Sequence, residues 1–143
     1  MLKGISPYLS PELLKTLCEM GHADDIVLAD AHFPGHTMGQ RVVRADGLSV
    51  SQLLDAILPL FELEKADDAL AMMQPAGGDP VNSDVEADFM IPVRKRTTRT
   101  APPVRMARWD FYERARAAYA VVMTGELRPY GNLILKKGVT PIS

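Results

Sequence analysis

The chain has 143 residues, 47% of them apolar and 24% charged, which suits one packed domain spanning 1–143 and excludes a disordered chain. Its 16 Lys and Arg against 18 Asp and Glu leave a net charge of −2, so no global field draws nucleic acid or an anionic membrane.

The first helix has a clear start. Ser10 can cap it, Pro11 suits the first helical position, and Glu12 faces the positive end of the dipole. Leu13, Leu14, Leu17 and Cys18 form its apolar face, and Gly21 is placed to end it in a left-handed conformation. The run Ile26-Val27-Leu28-Ala29 is too short for a helix and reads as a buried strand with Asp30 at its carboxyl end. Ser49 and Gln52 form a capping box for a second helix with the stripe Leu53, Leu54, Ile57 and Leu58, which Pro59 should end or kink. Ala69 to Met73 reads as a strand. Gln74 to Ser83, with Pro75, Gly77, Gly78 and Pro80, reads as a loop, and Asn82 to Phe89 as a short helix.

The basic run Arg94 to Arg99 reads as a solvated loop rather than a polyanion patch, since no aromatics interleave it. Val104 to Ala107 alternates like a strand. Asp110 and Glu113 form another capping box, opening a helix through Ala118, and Ala120–Met123 and Asn132–Lys136 complete the strands. Helices alternate with strands that look buried on both faces. That predicts a three-layer α/β/α sandwich on a central mixed, mostly parallel sheet.

All three histidines, His22, His32 and His36, fall within fifteen residues and surround Asp30. Histidine moves protons near neutral pH and also binds metals. His32 and His36 are four apart, a ligand spacing on a helix, but Pro34 and Gly35 between them argue against a regular helix. His22 follows a helix end, where the dipole favours its protonated form, and Asp30 can orient a histidine or accept from a hydroxylated ligand. Arg105 and Arg108 flank a strand end, one for a pocket and one for solvent. Tyr130-Gly131-Asn132 offers donors, acceptors and close backbone approach, though the same residues also suit a simple turn. Such a set suits a small polyhydroxylated molecule. Cys18, on the buried face of its helix, is a poor nucleophile. As the single cysteine it forms no intrachain disulfide. With no signal-peptide pattern at Met1–Pro7 and no apolar run of roughly 18 residues, a cytoplasmic protein without membrane contact is expected.

The segments Leu9-Ser10-Pro11-Glu12-Leu13-Leu14, Glu19-Met20-Gly21-His22, Asp30-Ala31-His32-Phe33-Pro34, Arg44-Ala45-Asp46-Gly47, Phe111-Tyr112-Glu113-Arg114-Ala115, Thr124-Gly125-Glu126 and Tyr130-Gly131-Asn132 together resemble the fucose mutarotase and ribose pyranase family, and most closely its L-fucose branch. The resemblance covers residues 1–63 and 104–141 and is weak from Glu64 to Pro103. It implies that family's fold and an isomerase of monosaccharides, L-fucose or alternatively D-ribose, with no cofactor and no metal. By position it makes His22 the proton donor, and Asp30, Arg108, Tyr130, Gly131 and Asn132 the sugar-binding set. It implies a homo-oligomer, often a ring-shaped decamer, with sites close to subunit contacts. A sugar-binding module without turnover, or a hydrolase using a metal on His32 and His36, are the readings from other classes.

Overall fold

Local signals set most of the elements. In the computed structural model, which describes residues 1–142, Ser10 caps α1 (Pro11–Glu19) by accepting from the Leu13 N–H at 3.1 Å. β1 is Asp25–Ala29, α2 Gly35–Met38 and β2 Val42–Ala45. The Ser49/Gln52 capping box forms in both directions and opens α3 (Val50–Ile57). β3 (Leu70–Met73), α4 (Ser83–Arg96), β4 (Val104–Met106), α5 (Arg108–Ala117), β5 (Ala120–Thr124) and β6 (Leu133–Lys136) follow.

The six strands form one sheet in the order β2-β5-β1-β6-β3-β4. β1 and β2 run parallel to β5, and β3 parallel to β4, while β6 is antiparallel to both β1 and β3. Five strands therefore point one way and β6 points back between β1 and β3. Alternate residues feed two cores. Ile26, Leu28, Leu70, Met72, Val122, Leu133 and Leu135 face α1, α3 and α4. Val27, Ala29, Ala71, Met73, Val121 and Ile134 face the opposite side, where Phe33 and the α5 residues Phe111 and Ala115 cover them. This is the expected three-layer sandwich on a mixed, mostly parallel sheet.

Several local expectations are corrected. Gly21 does not end α1 in a left-handed conformation; Met20 caps it with extended backbone, and the left-handed residue is Ala23 at φ 68°. Cys18 is exposed, and Thr16 takes the buried place beside Leu13 and Leu17. Gly35 opens a single helical turn despite Pro34, because α2 lies so close to β5 that a Cβ at Gly35 would sit 2.3 Å from the Met123 sulfur. β2, an edge strand with no counterpart in the sequence reading, pairs with β5 alone. α4 runs through the buried Pro92, well past Phe89, and Arg94, Lys95 and Arg96 form its last turn against the negative dipole end rather than a loop. α5 starts at Arg108 with no side-chain cap, which puts Asp110 inside its first turn.

Candidate active site

The strand directions decide which residues meet. β1, β3 and β4 end on the same edge of the sheet on which β6 begins, so Asp30, the segment after Met73, Arg108 and the turn before Leu133 converge there. Ligands of open α/β sheets bind at such carboxyl ends. A cleft of about 290 Å³ opens at this edge, lined by Asp30, His32, Arg108, Tyr112, Tyr130 and Asn132 among others.

Asp30 is only 4% exposed, yet its carboxylate is well supplied with donors. Oδ1 accepts from the His32 N–H at 3.0 Å; Oδ2 accepts from the Gly131 N–H and the Asn132 amide, both at 3.1 Å. The Asp30 N–H donates in return to Asn132 Oδ1 at 2.7 Å. Asn132 thus holds Asp30 from both sides. These donors fix the carboxylate where it lines the cleft. Burial pushes the Asp30 carboxyl above its ordinary range, partly opposed by the His32 N–H and ring and by the Gly131 and Phe33 N–H groups.

The turn that delivers Gly131 and Asn132 is clamped. Glu126 is buried and takes a two-pronged bond from Arg128, at 2.9 and 3.1 Å, while Arg128 also pairs with Asp88. Tyr130 sits at φ 58°, an unusual conformation for a residue with a side chain. Its hydroxyl donates to Asp79 and accepts from the Ala76 N–H, and its carbonyl accepts from Asn82 at 3.0 Å. Arg105 lies behind, bonding Asn82 at 2.8 Å and Glu86 at 3.1 Å, so Arg108 is the arginine at the cleft. Gly131 leaves no room for a side chain: a Cβ would lie 2.8 Å from Glu126 Cγ and 2.9 Å from the Arg128 carbonyl oxygen. Gly131→Ala should therefore pull the N–H off Asp30 and lower stability by about 1–3 kcal/mol, read as an earlier denaturation midpoint.

The three histidines do not meet in this cleft, which His32 alone of them reaches. His32 lines it, with Nε2 at 3.3 Å from the Leu127 carbonyl oxygen. His36 accepts from the Arg44 guanidinium at 3.3 Å. Among the described residues no three His, Cys, Asp or Glu side chains cluster as metal ligands. His22 lies before the amino end of β1, exposed, with Nε2 on the Glu64 carboxylate. Five strand residues, about 17 Å, separate that end from Asp30. Tyr119 stands at the His22 edge too, its N–H on the Asp25 carbonyl. The structure therefore joins Asp30, Arg108, Tyr130, Gly131 and Asn132, and leaves His22 at the far edge of the same chain.

Asp79 and Glu64 lie outside the sequence segments that carry the resemblance, so none of those motifs points to either. The Asp-Pro pair after Gly77-Gly78 was the available signal for Asp79. Two roomier clefts, of about 430 and 620 Å³, lie elsewhere on the surface. Neither contains a carboxylate as buried and as fully supplied with donors as Asp30. Among the described residues no helix is long and apolar enough to cross a membrane.

Comparison with known proteins agrees with this architecture. The model of the RbsD / FucU transport protein family matches residues 3–140. An L-fucose mutarotase of Haemophilus influenzae (strain 86-028NP) is 54% identical over 143 residues, covering 99% of each chain. The solved fucose mutarotase from Streptococcus pneumoniae, in complex with L-fucose, is 41% identical and superposes with a TM-score of 0.93 over 98% of this chain and all of that one. Bacillus subtilis RbsD complexed with D-ribose shares the fold, at 22% identity and a TM-score of 0.73 over 99% of this chain and all of that one. With its sheet order, its clamped Asp30 cleft and a match over nearly its whole length, the chain belongs to the RbsD/FucU family.

Proposed function

We propose that the protein is an L-fucose mutarotase, an isomerase that interconverts the α and β anomers of L-fucose. The observation that carries this reading is Asp30: a nearly buried carboxylate, held by the His32, Gly131 and Asn132 donors, that lines a cleft together with Arg108 and Tyr130. The full-length similarity to proteins named L-fucose mutarotase supports the choice of sugar.

Mutarotation delivers a proton to the ring oxygen and removes one from the anomeric hydroxyl, which breaks the bond between the anomeric carbon and the ring oxygen. The open aldehyde turns about its C1–C2 bond and closes on the other face, returning both protons. No electrons are transferred and no covalent enzyme intermediate is required. A positioned acid working near neutral pH typically contributes about 10² to 10⁴-fold. His22 is that acid in this reading. Asp30 accepts from a sugar hydroxyl, Arg108 donates through its fork, and Gly131 and Asn132 keep the Asp30 carboxylate aimed. Tyr130 shapes the wall, since its hydroxyl is engaged with Asp79 and Ala76.

His22 and Asp30 lie at opposite ends of β1, so one copy presents its histidine to the cleft of another. The protein is accordingly read as a homo-oligomer, with the ring-shaped decamer as the expected form. Its place is the cytoplasm, where a lone thiol stays reduced. Saturation-transfer NMR tests the function: the protein should speed exchange between the anomers of L-fucose more than pyranose–furanose exchange of D-ribose. Faster turnover of D-ribose would reassign it as a ribose pyranase. Binding of L-fucose with no acceleration would make it a sugar-binding module.

A further inference from the structure

We propose that Glu64 is the positioning residue of His22: it holds the imidazole as the Nε2–H tautomer and leaves Nδ1 to exchange the proton with the sugar. The inference rests on the proposed function in taking His22 as the acid.

The two side chains are brought together from distant parts of the chain by one backbone segment, Lys136–Gly138. On one side the Ala23 N–H donates to the Lys137 carbonyl at 2.8 Å, and the Lys137 N–H donates to the Asp24 carbonyl at 2.9 Å. These bonds hold the turn that carries His22. The turn closes with the Gly21 N–H on the Asp24 carboxylate at 2.7 Å and the Asp24 N–H on the Gly21 carbonyl at 3.2 Å. The Lys137 ammonium reaches back to the Leu17 and Met20 carbonyls, tying the same segment to the end of α1. On the other side the Glu64 N–H donates to the Lys136 carbonyl at 2.9 Å, and the Gly138 N–H to the Glu62 carbonyl at 2.7 Å. Gly138 is needed there, because a Cβ would lie 3.0 Å from the Leu63 oxygen and 3.1 Å from the Glu64 backbone.

The carboxylate is oriented as well as placed. Glu64 Oε1 accepts from the Lys65 N–H at 2.7 Å, which turns Oε2 onto His22 Nε2. An ionised carboxylate can only accept, so the imidazole nitrogen facing it must carry the hydrogen. The neutral ring then has its lone pair on Nδ1, and the protonated ring has its transferable proton there.

A surface ion pair contributes little by itself. Two features set this one apart. Ala23, next to His22, is held at φ 68°, where a side-chain-bearing residue is strained, and the Lys137 carbonyl supplies the bond that keeps it there. Glu64 is also less open than its partner, its side chain 23% exposed against 58% for His22. The anchor is sheltered and the working ring is presented outward.

The test uses the full-length assembled protein labelled with ¹⁵N-histidine. Long-range ¹⁵N–¹H correlation should show neutral His22 as the Nε2–H tautomer. In Glu64→Gln, whose amide can donate as well as accept, both tautomers should appear. Saturation-transfer kinetics should show kcat for L-fucose exchange falling roughly 10²-fold in Glu64→Gln and Glu64→Ala, with KM within about twofold, because Glu64 bonds His22 and none of Asp30, Arg108 and Asn132, which hold the sugar. A wild-type Nδ1–H tautomer, or full kcat in both variants with native circular dichroism, would overturn the proposal. Absence of exchange in the wild type would sink the proposed function instead, and the tautomer would still be read directly.

Discussion

Subunits carrying His22→Ala and subunits carrying Asp30→Asn, each nearly inactive alone, should recover exchange activity when co-assembled. His22→Ala removes the acid, a loss of about 10² to 10⁴-fold. Asp30→Asn replaces a charged acceptor with an amide whose NH2 faces donors it cannot use, so it weakens the hold on the sugar. Because His22 and Asp30 lie at opposite ends of β1, a cleft with an intact Asp30 on one copy can meet an intact His22 on the next. Random mixing at equal ratio makes about one site in four complete, so the mixture should turn over at about a quarter of the wild-type rate. Co-expression with two affinity tags, sequential purification and NMR exchange would read it. A mixture no faster than its components would show that no site is shared between copies.

Asn132→Asp should be the most damaging single change in the cleft at alkaline pH. The Asn132 amide donates to Asp30 Oδ2 at 3.1 Å in a place where both residues are 4% exposed. A second carboxylate there faces the first across a gap too dry for both to ionise, so the pair shares a proton. The expected cost is about 3 kcal/mol near pH 8, with L-fucose exchange lost alongside. Its pH dependence has a definite sign. Burial already raises the Asp30 carboxyl, and the second carboxylate raises the pair further. A folded-state pKa above the unfolded one gives stability that is present at low pH and lost as pH rises through the folded value. The variant should therefore approach wild-type stability toward pH 5 and fall away above it. A denaturation-midpoint deficit constant from pH 5 to pH 8 would remove the shared-proton account.

Much of the fold is legible wherever a short-range signal carries it. The Ser10 cap and the Ser49/Gln52 box form as read, because their bonds lie within three residues. The fully buried strands β3 and β5 announce themselves by apolar runs. What fails depends on packing at a distance. Gly35 looks like a helix breaker until Met123 is seen to need its missing side chain, and Pro92 sits inside α4 because the rest of that helix is pinned against α3. Arg94 to Arg96 carry no apolar period, so their helical turn is invisible in composition.

The cleft shows the same division. Asp30 at a strand end and Tyr130-Gly131-Asn132 before the last strand could be singled out by residue type, and the antiparallel β1–β6 pairing brings them together. The intervening strand β1 sends His22 and Asp30, neighbours in sequence, to opposite edges of the one chain, a separation that spacing along the chain conceals.

β6 gives the chain a direction. Asn132, just before its amino end, braces the Asp30 cleft, and Lys136–Gly138, at the other, braces the segments that carry His22 and Glu64. If donor and receiver face opposite ways, an open row of copies always leaves one histidine without a cleft at one end and one cleft without a histidine at the other. A closed ring leaves neither, and so does a reciprocal pair. Closure then matters for yield as well as for stability: it lets every chain supply one complete site.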